Sequence, residues 1–320
     1  MLFLNRRPEQ QGPELSQGIE GALAWAGDTY RSSAMNTAQS VVTKRMCGSP
    51  ECSGSRLSPW RNRKRPIFEG EWACSGRCVL GLVSAAIRRE ANDMGDTLPI
   101  QHRHRVPLGL VLLSQGWITQ AQLQQALSAQ RQQGGRIGER LIADCGVEAT
   151  QIMRGLSMQW GCPVLSTKGF TPSAMALVMP KLFIEEFSLL PLRVAGSRIL
   201  YLGFEDHLDA SAALALEQMT ELKVESGLVP AEDYFTARQN LLEYEGVSAK
   251  MMGVDEQDVL AAKITAILEQ KQPMASRLVR MHKYYWLRLW LENGAKRSQG
   301  ALPHNREDML DYVFTIGRSF

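Results

Sequence analysis

The chain contains no run of about 18 apolar residues, so no membrane-spanning helix is expected. It contains no G-x-x-x-x-G-K-[ST] phosphate loop. Its nearest glycine-rich stretches, Gly134-Gly135 and Gly294-Ala295-Lys296, lack the spacing. A G-x-S-x-G elbow and an H-E-x-x-H zinc helix are missing too. No residues can be assigned together as nucleophile, base and orienter, so the chain reads as a non-enzymatic protein. A secretory pattern is also lacking. The opening MLFLN runs directly into Arg6, Arg7 and Pro8, which predicts a cytoplasmic protein that meets any membrane machine through a partner.

What is present describes an ordinary globular chain: 320 residues, 44% hydrophobic and 22% charged, long enough for two or three domains. The net charge of +3 is unevenly spread. Residues 41–105 hold 12 Lys/Arg against six Asp/Glu, and residues 180–246 hold five against 12. A basic segment beside an acidic one fits intramolecular docking, a basic face for an acidic partner, or simply two solvated surfaces.

The informative stretch is Pro107–Gln159, which contains one pattern twice. PLGLVLLSQGWITQAQLQQALSAQ and RIGERLIADCGVEATQIMRGLSMQ are each 24 residues long, separated by five, RQQGG. In register, Leu108 matches Ile137, Gly109 matches Gly138, Leu112 matches Leu141, and Gln130 matches Gln159. Leu123 and Leu127 lie i, i+4 on one helix face. Thr119 with Gln122 reads as a capping box, and Ile118 can staple onto Leu123. Each copy therefore predicts a short helix, a turn and a longer helix, and two copies give a four-helix unit.

These residues resemble the N-terminal, MshEN-type domain of type II secretion and type IV pilus assembly ATPases. That family's pattern is R-L-G-x-x-L-hydrophobic-x-x-G, then L-x-x-x-L-x-x-Q, repeated after a five-residue spacer. The resemblance continues through Trp160-Gly161-Cys162-Pro163 and, from Phe170 to about Leu242, to the family's small α/β half, including Pro191–Val194. It implies a regulatory or adaptor role, secretion or pilus assembly proteins as partners, and cyclic di-GMP as a ligand. The implied ligand residues are Arg136, Gln130 and Gln159, with Leu108, Gly109, Ile137 and Gly138 around them. Arginine can pair with phosphate and stack on a base, and a glutamine amide can bond a guanine edge. Glycine lets backbone come close to the ligand. Two positions depart from the pattern. Pro107 stands where the first Arg belongs, so one ligand contact is missing. The second glycine has moved from position 145, which is Cys145, to Gly146. The ATPase engine of the family is absent. A docking module with no nucleotide ligand is the alternative reading, and Pro107 favours it.

Four of the six cysteines, Cys47, Cys52, Cys74 and Cys78, occur as CGSPEC and CSGRC. In a cytosolic chain such pairs favour a structural zinc module over a disulfide or redox role, or four unligated thiols. Cys74 and Cys78 sit at the start of a helix expected over Ser75–Ala91. Between the pairs, Trp60, Arg61, Arg63, Lys64, Arg65 and Phe68 interleave basic and aromatic residues. They form either a solvated loop with a tiny core of Trp60, Phe68 and Trp72, which is the favoured reading, or a nucleic-acid contact. His102 and His104 in the linker are not expected to be metal ligands.

The remaining segments predict strands at Leu189–Ala195 and Ile199–Phe204 joined by a two-residue Gly196-Ser197 turn. A helix over Asp209–Thr220, a strand over Lys223–Leu228 and a helix over Pro230–Leu242 complete a β-β-α-β-α layer. His207 with Glu205, Asp206 and Asp209 reads as a polar helix start rather than a metal site. A helix is expected over Glu256–Gln270. The block Tyr284, Tyr285, Trp286, Trp290 with its arginines reads as a strand, either core with stem-buried Arg or a partner-binding face. Asp308–Ile316 reads as a closing helix. The fold expected is α+β and multidomain: a flexible tail (1–40), a zinc-binding module (41–95), the tandem helical unit (105–165), a small α/β layer (166–245) and a C-terminal α/β extension (246–320).

Overall fold

The structure is a computed structural model that describes residues 47–52, 67–96, 105–196, 198–246, 249–291 and 306–317. All of them belong to one unit, Arg45–Phe320. The expected tail, the basic loop with Trp60 and Arg61 to Arg65, and His102 and His104 lie outside the described residues.

A two-stranded hairpin, β1 (Ile67–Phe68) and β2 (Glu71–Trp72), precedes α1 (Gly76–Asp96). Four helices follow: α2 (Leu108–Ser114), α3 (Gln120–Gln133), α4 (Ile137–Cys145) and α5 (Ala149–Trp160). They enclose a core of Leu108, Leu112, Leu123, Ala126, Leu141 and Ile152. The expected capping box starts α3: the Gln122 amide donates to Thr119 Oγ1 at 3.2 Å, and Thr119 N donates to Gln122 Oε1 at 2.9 Å. Ile118, 4% exposed, and Leu123, 7% exposed, sit in the same core. The glycine shift has a visible consequence. Gly146, in the left-handed region at φ 65°, stops α4 after nine residues, whereas α2 ends after seven, ahead of Gly116 at φ 69°.

The α/β layer contains α6 (Pro172–Met175), α7 (Lys181–Phe187), β3 (Leu190–Ala195), β4 (Ile199–Phe204), α8 (Ala210–Thr220), β5 (Lys223–Leu228) and α9 (Ala231–Glu243). Strands β3 and β4 are antiparallel, and β5 joins β4 in parallel after the α8 crossover. Ala195 pairs with Ile199, so the connection spans residues 196–198 and is one residue longer than expected. Pro163–Leu165 runs along the free edge of β5: Leu165 N donates to Leu228 O at 2.7 Å, and Leu228 N donates to Pro163 O at 2.9 Å. This short ladder fastens the helical unit to the sheet.

The C-terminal part has β6 (Ala249–Val254), α10 (Gln257–Lys271), β7 (Ala275–Met281), β8 (Tyr284–Trp290) and β9 (Met309–Ile316), with sheet order β6-β9-β8-β7. The closing helix expected over Asp308–Ile316 is instead a central strand. It pairs with β8 in antiparallel and with β6 in parallel. Tyr312, Val313, Phe314, Thr315 and Ile316 are all β-favouring types, and burial on both faces removes the polar alternation that marks a half-exposed strand.

That sheet divides the molecule. One face, with Tyr284, Trp286, Trp290, Met309 and Val313, joins the core of the α/β layer, around Val178, Phe183, Leu202 and Leu216. The other, with Tyr285, Leu287, Leu289, Tyr312 and Phe314, joins a core built by α1, α10 and the cysteine segment. Strand β8 is buried along its whole length because successive side chains serve opposite cores. Its Arg288, 1% exposed, is buried to the guanidinium and makes a two-pronged pair with Asp311, at 2.8 and 2.7 Å, while donating to Val178 O at 3.0 Å.

Candidate functional site

In the helical unit, α3 packs on α4 and α2 packs on α5. The same contacts recur at matched positions of the two copies. A Cβ on Gly109 would come within 2.5 Å of Leu123, and one on Gly138 within 3.0 Å of Ile152, its counterpart. Both glycines are buried between helices. The shape shared by the two copies thus has a packing reason of its own.

The two motif glutamines behave alike. Gln130 Nε2 donates to Gly135 O at 2.9 Å, and Gln159 Nε2 donates to Val106 O at 2.8 Å. Each acceptor immediately precedes a motif start, Arg136 in one case and Pro107 in the other. The end of one copy is therefore tied to the beginning of the other. Leu108 is buried and Ile137 half-buried at the first turns of α2 and α4. Arg136 is half-exposed and reaches the loop after β4. Its Nη1 donates to Glu205, and its Nη2 lies 3.6 Å from Asp206 Oδ2. Those carboxylates hold the guanidinium charged, the Glu205 hydrogen bond contributing most. At the matched start of the first copy, Pro107 offers no donor. Arg105 lies over the Trp160 ring with Cζ 3.1 Å from the centroid, and Trp160 meets Phe204 edge-on at 5.1 Å. Burial lowers the Arg105 pKa.

The side chains of the polar loop 205–209 have other partners among the described residues. Glu205 and Asp206 face Arg136. Asp209 caps α8 through Ala212 N at 2.8 Å and contacts His282 Nε2 at 2.8 Å. His207 stands beside Trp160, ring centroids 6.1 Å apart.

The four cysteines do converge. Their sulfurs all lie within 4.8 Å of one another, the single group of three or more candidate metal ligands among the described residues. Cys52 Sγ is 3.4 Å from Cys74 Sγ, which is 3.6 Å from Cys78 Sγ. These separations are far from a disulfide bond of about 2.05 Å. Zinc–sulfur bonds of about 2.3 Å would set the sulfurs of a tetrahedron about 3.8 Å apart, so the donor set and its size fit the ion. Gly48 N donates to Trp72 O at 2.8 Å and Cys74 N to Cys47 Sγ at 3.4 Å, which lock the first pair against the second. Burial, with hydrogen bonds among the sulfurs, pushes the Cys74 thiol up to about 12. For Cys78 burial acts in the same sense, but hydrogen bonds from Ser75 and the neighbouring thiols outweigh it and bring the group down to about 7.

Sequence reasoning missed three groups: the buried Arg288–Asp311 pair, the His282–Asp209 contact, and a carboxylate pair, Glu69 and Glu90, on the edge of β7. All three join residues far apart in the chain, and no local pattern announces them.

The doubled motif defines a class first. The chain carries a domain of the kind found at the N-terminus of type II secretion and type IV pilus assembly ATPases, as the doubled motif indicated. Among particular relatives, it is 32% identical over 95 residues to the type IV pilus assembly ATPase PilB of Myxococcus xanthus, covering 29% of this chain and 17% of that one. It is 30% identical over 131 residues to bacteriophage adsorption protein B of Escherichia coli K12, covering 41% of this chain and 17% of the relative. The chain thus spans 17% of the length of these curated relatives. A solved structure of MshE with cyclic di-GMP is 27% identical, with a TM-score of 0.36 over 43% of this chain and 99% of that one. The N-terminal domain of XpsE is 14% identical, with a TM-score of 0.29 over 42% of this chain and 92% of that one. No family model matches the chain. Among the described residues no helix is long and apolar enough to cross a membrane.

Proposed function

We propose that this chain is a non-enzymatic, cytoplasmic regulatory or adaptor protein that binds cyclic di-GMP on the tandem helical unit and works with secretion or pilus assembly proteins. The observation that carries the reading is the doubled motif itself: two copies with the five-residue spacer intact, in a chain that is 32% identical to PilB over 95 residues. Arg136 is the phosphate or base partner in this reading. Buried Leu108, Gly109 and Gly138, with half-buried Ile137, set the helix packing beneath the binding surface, and Gln130 and Gln159 hold the two motif starts. Zinc on Cys47, Cys52, Cys74 and Cys78 is structural. It would be bound by thiolates, and its part is to fix the fold of the cysteine segment.

Calorimetric titration of cyclic di-GMP into the full chain, with Arg136→Ala as control, tests the ligand. Micromolar binding that disappears in the variant is expected. Absence of heat from a folded, wild-type chain would favour the second reading, a docking module with no nucleotide ligand. Pro107 in place of the motif arginine is the observation behind that alternative.

A further inference from the structure

We propose that the cysteine segment is a metal-dependent guard of a sheet edge. The thiolate cluster positions Glu69, which satisfies an outward backbone amide of β7, while Glu90 satisfies a second one independently of the metal. The inference rests on the zinc reading above and concerns what that site controls.

Among the described residues, strand β7 is the end strand of its sheet and pairs with β8 alone. An end strand presents every second N–H away from its neighbour, and such donors recruit other chains unless they are covered. Leu278 and Arg280 are two residues apart and point to the same side. Leu278 N donates to Glu69 Oε1 at 3.1 Å, and Arg280 N donates to Glu90 Oε2 at 2.9 Å. Next along the edge, the Ser276 hydroxyl donates to Ile67 O at 3.0 Å. Carboxylates make these bonds stronger than neutral acceptors would. Arg89 supplies the opposite charge to both, bonding Glu69 at 2.8 and 3.0 Å and Glu90 at 2.9 and 3.1 Å. The Glu90 side chain is only 8% exposed, so its charge is compensated here or nowhere.

The two caps are held by different means. Glu69 lies in the β1–β2 turn with φ 48°, on a hairpin of two residues per strand. A ribbon so short has no stability of its own. It is fixed by its neighbours: on the cysteine side Trp72 O accepts from Gly48 N and Cys74 follows within two residues, and on the β7 side Phe68 is buried and Ser276 Oγ accepts from Glu69 N at 3.4 Å. Glu90 instead sits on α1, whose Val79, Val83, Ala86 and Ile87 pack in the core shared with α10. Loss of the metal should therefore release the Glu69 cap and spare the Glu90 cap.

The experiment is residue-resolved amide hydrogen exchange on the full chain, zinc-loaded, chelator-treated and as the zinc-loaded Glu69→Gln variant. Cobalt-thiolate absorption would establish metal uptake separately. Chelation is expected to speed exchange at Leu278 by about tenfold or more, leaving Arg280 and the β8–β9 ladder protected. Glu69→Gln should speed Leu278 alone with cobalt absorption intact. Unchanged Leu278 protection after chelation overturns the proposal, as does uniform loss across β7, β8 and β9. A chain that takes up no cobalt overturns the zinc reading, and with it the metal dependence. The Glu69→Gln arm then still reports whether the carboxylate is a cap.

Discussion

Arg288 shows how little a single residue's surroundings can be read from its neighbours in sequence. In the run YYWLRLW an arginine reads as a stem-buried side chain with its head in water. Its head is in fact buried, because β8 lies between two cores and the even-numbered side chains all enter one of them. Its partner, Asp311, lies on a segment read as helix. Removing one member of such a pair leaves an uncompensated buried charge, so Asp311→Ala should lower stability by about 3–5 kcal/mol in denaturant unfolding. A joint replacement by apolar residues of similar volume should cost far less, and an equal loss in both variants would show that packing, not charge, matters there. Arg136 is the contrasting case, half-exposed and ion-paired with Glu205 and Asp206. A phosphate arriving at Arg136 must compete with both carboxylates. If cyclic di-GMP binds as proposed, the double variant Glu205→Gln with Asp206→Asn should bind it more tightly, by up to about fivefold given what exposed pairs contribute. Weaker binding in the same calorimetric titration would mean that the carboxylates orient the guanidinium instead.

At the scale of elements, helices were legible where local chemistry sets them. The Thr119–Gln122 box and the i, i+4 leucines announce the helices of the tandem unit, because each is a short-range signal. The strands β3, β4, β5 and β8 were also legible from composition. Strand β9 was not, since its pairing with both β8 and β6 is a long-range property and its double burial erases alternation. The joint between the helical unit and the α/β layer was invisible for the same reason. It depends on Gly227. A Cβ there would lie 2.6 Å from Leu165 and 2.7 Å from the carbonyl oxygen of Pro163, and backbone cannot yield as a side-chain tip can. Gly227→Val should therefore break the Leu165–Leu228 ladder and cost about 1–3 kcal/mol in denaturant unfolding. Gly109→Ala meets only the flexible end of Leu123, and the helix preference of alanine offsets part of that crowding, so a smaller loss is expected. Equal losses at the two sites would show that the joint has no special rigidity.

For the whole molecule, the four-stranded sheet is the part that two cores have in common. One core belongs to the α/β layer and the other to α1, α10 and the cysteine segment, and neither closes without the sheet. Segments at opposite ends of the chain, Phe68 to Ile87 and Val254 to Phe314, build the second core together. Such sharing makes unfolding cooperative across the sheet rather than sequential along the chain. The prediction can be checked with two probes of distant parts. Cobalt in the cysteine cluster would report the second core through thiolate absorption. Tryptophan emission, with Trp286→Phe as the difference control, reports the first through a ring that is 0% exposed. Under increasing denaturant the two signals should change over the same concentration range. A cobalt signal lost well before Trp286 is exposed would mean that the cysteine segment unfolds as a separate body. In acid, protons compete with the metal for the thiolates, so the cobalt signal should weaken as the pH falls. If the sheet couples the cores, the Trp286 transition should then move to lower denaturant at the same pH.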